Sequence, residues 1–582
     1  MPVADWRHFK SVSLGLLIRA ASFTVIFALL GMVVQMMVVA APIFAASTLE
    51  RIDSPDAGRE TPVSRTVSRT ESRDADLTQS TYWVSKDGWQ LKGSPGNPWL
   101  WVHDQTAVRL NAHELPSDFS IAQMVGHQRG LAVLVGNTLE YFHFSQSTSI
   151  NNVPAVERVK TVLVGSDIVA LAGHPRLAVV AFATSLSEIQ VVDFRNPNAS
   201  LRIQVDVAID TIVWVSPSLI RALTPSGDAL LFVFRATDIG GDWRRLLSPI
   251  EYEGYPSEAY LWLPLPSAQR AEPKYSVVPL IFGTLKAALL ALLFSAPLSL
   301  GCAIYVGCFM SEAQRQRVRP AIDMLTAFPT VVLGAIGLFW LAPRFGEFLS
   351  ALIGVIALFP ILAILGVFVV RGLGWQWVRH DALDDWPLRL LPLVLLVIAV
   401  GAAAGLSGAA RLPGGSLEAY LLSSGVSISY FNSLLVGIVL GLAITPTIFS
   451  IAEEAIHAVP RNLAAGALAL GSTPWQGYRD VVLPLALPGM IAAIMVGFGR
   501  AAGETMILVM LSGNTGIMDL SIFEGLRSVS ASLALELPEA PKTSSHYQVL
   551  FAMGLLLFGL TFIVNTVAEI IRARVRMRVR GL

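Results

Sequence analysis

Two charged residues interrupt an apolar stretch near the C-terminal end of the chain. Arg500 and Glu504 lie in the run from 485 to 511, and an ionisable side chain near the centre of a bilayer costs about 2.5–3.5 kcal/mol. Residues four apart share one face of a helix, so the sequence predicts that the guanidinium and the carboxylate occupy one polar pocket. The pair indicates a transport route, and the alternative is an ion pair that fastens two helices.

The chemistry of this pair favours a protonated oxyanion. A guanidinium can hold two oxygens of a tetrahedral anion, whereas a carboxylate repels an anion that has no proton to donate. Phosphate keeps at least one proton at neutral pH and sulfate keeps none, so the pair predicts phosphate selectivity. Thr330 and Thr505 are weaker candidates for the route, because Thr in a span more often bonds its own helix backbone.

A polar helix, a turn and a second helix precede the charged span. Small residues on the first helix let another protein pack closely, a glycine permits the turn, and a proline makes the start of the next span rigid. These residues are, in order, Ala465, Gly466, Ala467, Gly471, Leu483 and Pro484.

The spacing of these residues resembles the coupling loop of ABC importer permeases, where a separate ATPase docks. Ala465 stands where that class usually has Glu. The segment from Gly499 to Met506 resembles the phosphate-specific transport (Pst) family, in particular its PstC-like subunit. Further resemblance lies in residues 283–286, 327–334 and 458–461.

The resemblance implies a type I ABC importer permease core and a heteromeric assembly. Its expected partners are a second permease subunit (PstA-like), an ATP-binding subunit dimer (PstB-like) and an extracytoplasmic phosphate-binding protein (PstS-like). ATP hydrolysis is expected in a partner, so the chain is predicted not to be an enzyme. The sequence contains no phosphate-binding loop and no metal-ligand spacing, and no cofactor or metal is expected.

Composition places most of the chain in a lipid bilayer. Of 582 residues, 53% are hydrophobic and 14% are charged, which is more apolar than a soluble enzyme. The 42 basic residues equal the 42 acidic ones, so there is no overall basic field for nucleic acid. Both cysteines, Cys302 and Cys308, lie in an apolar run and are expected to pack there.

We predict a polytopic α-helical membrane protein with about eight transmembrane helices and an inserted all-β extracytoplasmic domain. The predicted order is a cytoplasmic N-terminus (1–19), an anchor helix (20–46), a linker (47–80), the all-β domain (81–266), the permease domain (279–571, with its coupling loop at about 453–484) and a basic cytoplasmic tail (572–582).

Short alternating apolar runs between Gly, Pro, Asn and Asp predict the β domain. Similar units begin about 45 residues apart, at 126–130 and 173–176, a period typical of propeller blades. A propeller of about four blades and a β-sandwich both remain open. His127 and His174 recur in these units and are interpreted as structural turn residues.

The positions of Arg-rich loops predict which side of the membrane each loop lies on. After the anchor we place spans at 279–309, 322–342, 348–370, 388–408, 430–452, 485–511 and 548–571. The Arg-rich loops fall on one side if the N-terminus is cytoplasmic, which predicts a bacterial inner-membrane protein with cytoplasmic termini and a periplasmic β domain. The spans 348–370 and 388–408 are an insertion relative to the six-span core of the family.

Two other functions are compatible with the sequence. One is a permease for another oxyanion, such as sulfate or molybdate. The other is a membrane-anchored receptor or sensor whose β domain binds a ligand outside.

Overall fold

The computed structural model contains two compact units. One consists of Val38–Ser276 with Thr543–Val549, and the other of the rest of the chain. The structure describes residues 23–44, 48–52, 80–84, 90–93, 99–103, 106–109, 115–116, 118–125, 130–145, 155–164, 167–175, 177–194, 200–235, 243–249, 259–264, 273–372, 386–426, 428–516, 518–542 and 544–580. His127, most of the predicted linker and the N-terminal 22 residues lie outside these ranges.

The first unit is built from short antiparallel strands. They are β1 (Thr48–Ile52), β2 (Ser80–Val84), β3 (Gln90–Gly93), β4 (Leu100–His103), β5 (Thr106–Arg109), β6 (Ile121–Val125), β7 (Gly130–Val135), β8 (Thr138–Ser145), β9 (Ala155–Leu163), β10 (Ile168–Gly173), β11 (Val179–Thr184), β12 (Glu188–Asp193), β13 (Leu201–Gln204), β14 (Thr211–Ser216), β15 (Leu219–Leu223), β16 (Ala229–Arg235), β17 (Trp262–Leu263) and β18 (Lys274–Tyr275).

Sixteen of these strands form four four-stranded sheets, and β17 pairs with β18. Three sheets are simple meanders, β2 to β5, β6 to β9 and β10 to β13. The fourth has the order β1-β16-β15-β14, so the first of the described strands completes the last sheet. The predicted linker therefore begins too early, because its residues 48–52 pair with β16 instead of connecting domains.

Apolar cores lie between neighbouring sheets. Strand β11 is buried along its whole length, and alternate residues of a strand point to opposite faces. Val179 and Ala181 pack in a core with the fourth sheet, whereas Val180 and Phe182 pack in a core with the second. Four sheets stacked in chain order are the arrangement of propeller blades and not that of a two-sheet sandwich.

His174 has a structural role in this unit. Its side chain is 1% exposed, its Nε2 lies 2.8 Å from the carbonyl oxygen of Pro217, and its Nδ1 accepts a hydrogen bond of 2.8 Å from the Leu177 amide. The ring also meets the Trp214 ring edge-on, with centroids 4.5 Å apart. Both ring nitrogens are therefore occupied by backbone contacts, as expected for a recurring turn residue.

The second unit is helical. The described helices are α1 (the span Phe23–Phe44), α2 (Val278–Ile304), α3 (Glu312–Met324), α4 (Thr330–Ile336), α5 (Phe345–Gly372), α6 (Trp386–Ala409), α7 (Leu417–Ser423), α8 (Ser433–His457), α9 (Arg461–Ala469), α10 (Pro474–Gly477), α11 (Leu483–Gly503), α12 (Met506–Leu511), α13 (Val529–Glu536) and α14 (Ser545–Arg580). Wider π turns occur at Tyr305–Phe309, Gly337–Leu341 and Tyr478–Val482, and a 3-10 turn at Ala342–Arg344.

Within the described residues, six helical stretches are long and apolar enough to cross a membrane, fewer than the eight expected. They are Phe23–Phe44, Val278–Phe309, Thr330–Leu362, Ser433–His457, Trp475–Gly503 and Ser545–Arg574, with Val394–Ala409 as a shorter apolar helix.

Two of the predicted spans are not found as separate spans: 388–408 corresponds to the shorter apolar helix Val394–Ala409, and the other difference lies around residue 343. The segments predicted at 322–342 and 348–370 fall in one helical run, because α4 continues through the turns Gly337–Leu341 and Ala342–Arg344 into α5. Pro343 lies at the start of the second turn, where a missing amide hydrogen breaks no helical hydrogen bond. Residues 322–324 instead end the polar helix α3.

Helix α8 lies at the centre of the second unit. Most of its residues are buried, and it packs against α2, α11, α12 and α3. Gly437 and Gly441 let α2 approach closely, since a Cβ at Gly437 would lie 2.7 Å from the Leu290 Cβ and one at Gly441 would lie 2.9 Å from the Ala291 carbonyl oxygen. This small-residue contact fixes α8 against α2.

Helices α5 and α6 form a closely packed pair. A Cβ at Gly354 would lie 2.3 Å from the Gly401 carbonyl oxygen, and one at Gly405 would lie 2.1 Å from the Ser350 carbonyl oxygen. Gly401 and Gly405 are four apart, the spacing that brings two membrane helices into backbone contact. The pair therefore has a defined interface.

We expect Gly405→Ala to destabilise the protein, because the added methyl group has no room beside Ser350. Overpacking of this kind costs about 1–3 kcal/mol. Gly408→Ala is the matched control on the same helix, since nothing lies within 4 Å of a Cβ there. Thermal unfolding of the full chain in nanodiscs checks this, and equal midpoints for the two variants would contradict the described interface.

Candidate functional site

Arg500 lies in the last turn of α11 and is half-buried. Its Nη1 donates a hydrogen bond to Thr447 Oγ1, which belongs to the central helix α8. The contact joins two spans and restricts where the guanidinium can point. Thr447 was not among the predicted site residues. A hydroxyl directly after Pro446 in an apolar span is a sequence feature that could have indicated it.

Glu504 does not continue the helix. Helix α11 ends at Gly503, and Glu504 has extended backbone angles, φ −66° and ψ 134°. The prediction that Arg500 and Glu504 share one face of a continuous helix is therefore wrong, as is the uninterrupted span 485–511. Within the described residues, no ion pair joins the two side chains. The two charges are presented by different backbone segments.

A hydroxyl from another segment stabilises the break between α11 and α12. The Glu504 carbonyl oxygen accepts a hydrogen bond of 2.7 Å from Ser530 Oγ, and the Glu504 amide donates to the Ala501 carbonyl oxygen at 3.2 Å. Non-helical backbone at membrane depth requires such partners. Ser530 was also missed by the sequence predictions, and nothing in its local sequence marks it.

Residues 518–530, here called the supporting loop, carry Ser530 and are held by α2. Thr284 Oγ1 accepts a 3.0 Å hydrogen bond from the Val529 amide and donates one of 2.7 Å to the Leu280 carbonyl oxygen. At Gly283, a Cβ would lie 2.1 Å from the Arg527 carbonyl oxygen. The 283–286 motif therefore positions the supporting loop.

Two cations complete this anchorage. Lys286 Nζ donates to the carbonyl oxygens of Asp519 and Ser521 at 2.8 and 2.7 Å. Arg527 forms an ion pair with Glu536 of α13 and donates from Nε to Ser532 Oγ at 3.0 Å. Because both cations have close partners, the supporting loop is tied to α2 on one side and to α13 on the other.

The two threonines predicted for the translocation route lie on different helical segments. Thr330 is the first residue of α4 and is half-buried. Thr505 precedes α12 and donates from Oγ1 to the Gly503 carbonyl oxygen at 3.4 Å, a bond to its own backbone. Helices α4 and α12 touch at Gly334, where a Cβ would lie 2.9 Å from Met510 Sδ.

The coupling-loop residues occupy α9, the following turn and the start of α11. Gly471 has φ +91°, a conformation that favours glycine, and Pro484 lies in the first turn of α11. Ala465 and Gly466 are exposed, and Ala467 and Leu483 are partly buried. The loop thus presents small residues to solvent.

Other apolar residues are exposed beside them. Leu470 is 90% exposed and Trp475 is 56% exposed. The described residues include no group of three or more His, Cys, Asp or Glu side chains that could hold a metal ion.

Comparisons with known proteins match the helical half of the chain. Residues 299–577 match the family model described as the binding-protein-dependent transport system inner membrane component. The probable ABC transporter permease protein YqgH of Bacillus subtilis is 27% identical over 318 residues, which cover 54% of this chain and 75% of that protein.

A phosphate transport permease and a solved transporter also match. The phosphate transport system permease protein PstC of Haemophilus influenzae is 28% identical over 293 residues, covering 50% of this chain and 74% of that protein. The MetNI methionine ABC transporter, solved in inward-facing conformations, is 15% identical with a TM-score of 0.29, covering 51% of this chain and 95% of that one.

The helical half is therefore a binding-protein-dependent transport permease domain, and the chain is a multi-pass membrane permease subunit of an ABC transporter. More specifically, this half is homologous to phosphate permease proteins of the PstC type, which confirms the resemblance to the Pst family. The predicted fold class, a helical permease with a strand-rich N-terminal part, is also confirmed.

We expect Thr284→Val to loosen the supporting loop, because it leaves the buried Val529 amide without its acceptor. An unsatisfied buried group costs about 1–3 kcal/mol. Thr561→Val is the control, since Thr561 Oγ1 donates to carbonyl oxygens of its own helix. Hydrogen exchange of the Val529 amide in the nanodisc-embedded protein measures the effect, and unchanged protection in Thr284→Val would contradict it.

Proposed function

We propose that the chain is the permease subunit of an ATP-driven phosphate importer and forms the route of inorganic phosphate. The observation that carries the proposal is the half-buried Arg500 guanidinium, held by Thr447 at the end of α11 and followed directly by the helix break at Glu504. Homology to the PstC proteins supports phosphate as the substrate.

The helix break suits anion transport better than a continuous helix would. In a helix, Arg500 and Glu504 could neutralise each other as neighbours. Because the helix ends at Gly503, Arg500 is held toward α8 by its hydrogen bond to Thr447, whereas the Glu504 carboxylate is attached to a residue with extended backbone angles. The guanidinium binds phosphate oxygens, and the carboxylate accepts a hydrogen bond from the P–OH group.

Energy for transport comes from partner subunits in this proposal. ABC permease homologues in general work with an ATPase and a substrate-binding protein. We assign the exposed coupling loop to an ATP-binding subunit dimer of the PstB type, and closure of that dimer rocks the helices between two openings. A PstA-like permease and a PstS-like binding protein complete the assembly.

The orientation follows from the same assignment. The coupling loop, both termini and the basic tail lie on the cytoplasmic side of a bacterial inner membrane, and the β unit lies in the periplasm. Thr330 and Thr505 remain secondary candidates for the route, because Thr505 bonds its own backbone.

Glu504→Gln should reduce the preference for phosphate over sulfate. The amide no longer repels a fully ionised anion, and the charged hydrogen bond to the P–OH group is lost. Such a bond contributes about 1.5–3 kcal/mol, so selectivity should fall about tenfold or more in vesicle uptake with radiolabelled anions. Glu454→Gln, an exposed carboxylate on α8, should leave selectivity intact. Unchanged selectivity in Glu504→Gln would count against phosphate recognition by this carboxylate.

Thr447→Val should lower phosphate uptake by releasing the guanidinium. A hydrogen bond of about 1 kcal/mol corresponds to an approximately fivefold loss in kcat/KM, and Thr447→Ser should restore most of it. Thr445→Val is the control two residues away, because Thr445 Oγ1 donates to the Gly441 carbonyl oxygen of its own helix. Equal phosphate uptake by the two valine variants would contradict a role for Thr447 in positioning the guanidinium.

A further inference from the structure

Helix α8 has one accessible face that is polar. Most of the helix is buried, but from the contact with Arg500 onward one face is open at positions three or four residues apart, a spacing that places side chains on the same side of a helix. The accessible residues on this face are Thr447, Ser450, Ile451, Glu454 and His457. A polar strip therefore leads from the candidate site to the end of the helix.

Helix α5 has the kind of exposed surface that suits lipid. Between residues 351 and 368, every exposed residue that the structure describes is apolar, among them Ile353, Ile356 and Phe368, which are 50, 62 and 66% exposed. Four of the five residues on the open face of α8 carry a polar group, and polar groups are costly in hydrocarbon unless they have partners. The open face of α8 is therefore unlike a surface that contacts lipid.

Helix α3 brings ionisable side chains to the same strip. Ser450 Oγ donates a hydrogen bond of 2.5 Å to Asp323 Oδ1, and Asp323 Oδ2 lies 3.8 Å from Arg319 Nε. The side chains of Arg319 and Asp323 are 38 and 44% exposed. Because Ser450 lies seven residues, or about 10 Å, before the end of α8, these accessible charged groups reach membrane depth, where they require water beside them.

The length of the strip matches half of a membrane. Thr447 and His457 are ten residues apart, which is about 15 Å along a helix, and the hydrocarbon core of a bilayer is about 30 Å thick. The strip thus runs from the middle of the span, where Arg500 donates to Thr447, to the end of α8 that leads into the coupling loop.

We propose that this face of α8, together with Arg319 and Asp323 of α3, forms the wall of a water-filled exit through which the transported anion passes from Arg500 to the coupling-loop side. The proposal rests on the proposed function in taking Arg500 as the anion site. Ser450 and Ile451 face water where the exit begins, and the choice between anions stays with Arg500 and Glu504.

Cysteine labelling of the assembled complex in nanodiscs tests this exit. The background is the full-length chain with Cys302→Ala and Cys308→Ala, since these are its two cysteines, and the reagent is the membrane-impermeant anion sulfonatoethyl methanethiosulfonate. The thiolate is the reactive form, and it forms in water and not in lipid. Ser450→Cys and Ile451→Cys should therefore be labelled about tenfold faster than Ile356→Cys on α5, as measured by the intact mass of this chain.

Phosphate uptake by the labelled complex in vesicles gives the second readout. The attached sulfonate places a fixed anion in the exit and repels the transported anion, so uptake should fall about tenfold relative to the same variant before labelling. Ile451→Cys removes no hydrogen bond, so it decides the outcome if Ser450→Cys fails to assemble.

Labelling at either position that is no faster than at Ile356→Cys overturns the proposal, as does uptake that complete labelling leaves unchanged. A complex that is labelled rapidly but carries another anion in place of phosphate overturns the proposed function and leaves the water-filled exit standing, so the two failures are distinguishable.

Discussion

The candidate site depends on a helix that stops inside the membrane domain. Helix α11 ends at Gly503, and the backbone of Glu504 must find hydrogen bonds outside a helix, where unpaired peptide groups are costly. Ser530 supplies one of them, and the supporting loop that carries Ser530 is fixed in turn by Thr284 and Lys286 of α2. The site is therefore maintained by backbone contacts between segments that are distant in sequence, and its charged side chains are positioned by that framework.

Helix α8 connects the candidate site to the region beneath the coupling loop. It carries Thr447, which receives a hydrogen bond from Arg500, and Glu453, which pairs with Arg315. These two positions are six residues apart, or about 9 Å along a helix. In the proposed function, a displacement that starts at the coupling loop reaches Thr447, the partner of the guanidinium, through α8.

Much of the architecture was predictable from local sequence, but its contacts were not. Apolar runs located the helical half, the coupling-loop spacing located Gly471 in its left-handed turn, and alternating runs located the strands. The break at Glu504 was missed because the segment around it is as apolar as a continuous span, and the break is stabilised by Ser530, which is 26 residues away. The pairing of β1 with β16 was missed for a similar reason, since a short strand beside a polar segment has no local signal. Thr447 and Ser530 act through partners that only the folded chain brings near.

The most direct measurement is phosphate uptake recorded together with ATP hydrolysis in vesicles that contain the assembled complex with Arg500→Gln. The account predicts that this complex assembles and hydrolyses ATP but takes up phosphate about a hundredfold more slowly, since charge-assisted hydrogen bonds of about 1.5–3 kcal/mol are lost. Uptake at the wild-type rate by that complex would contradict a role for the Arg500 guanidinium in the translocation route.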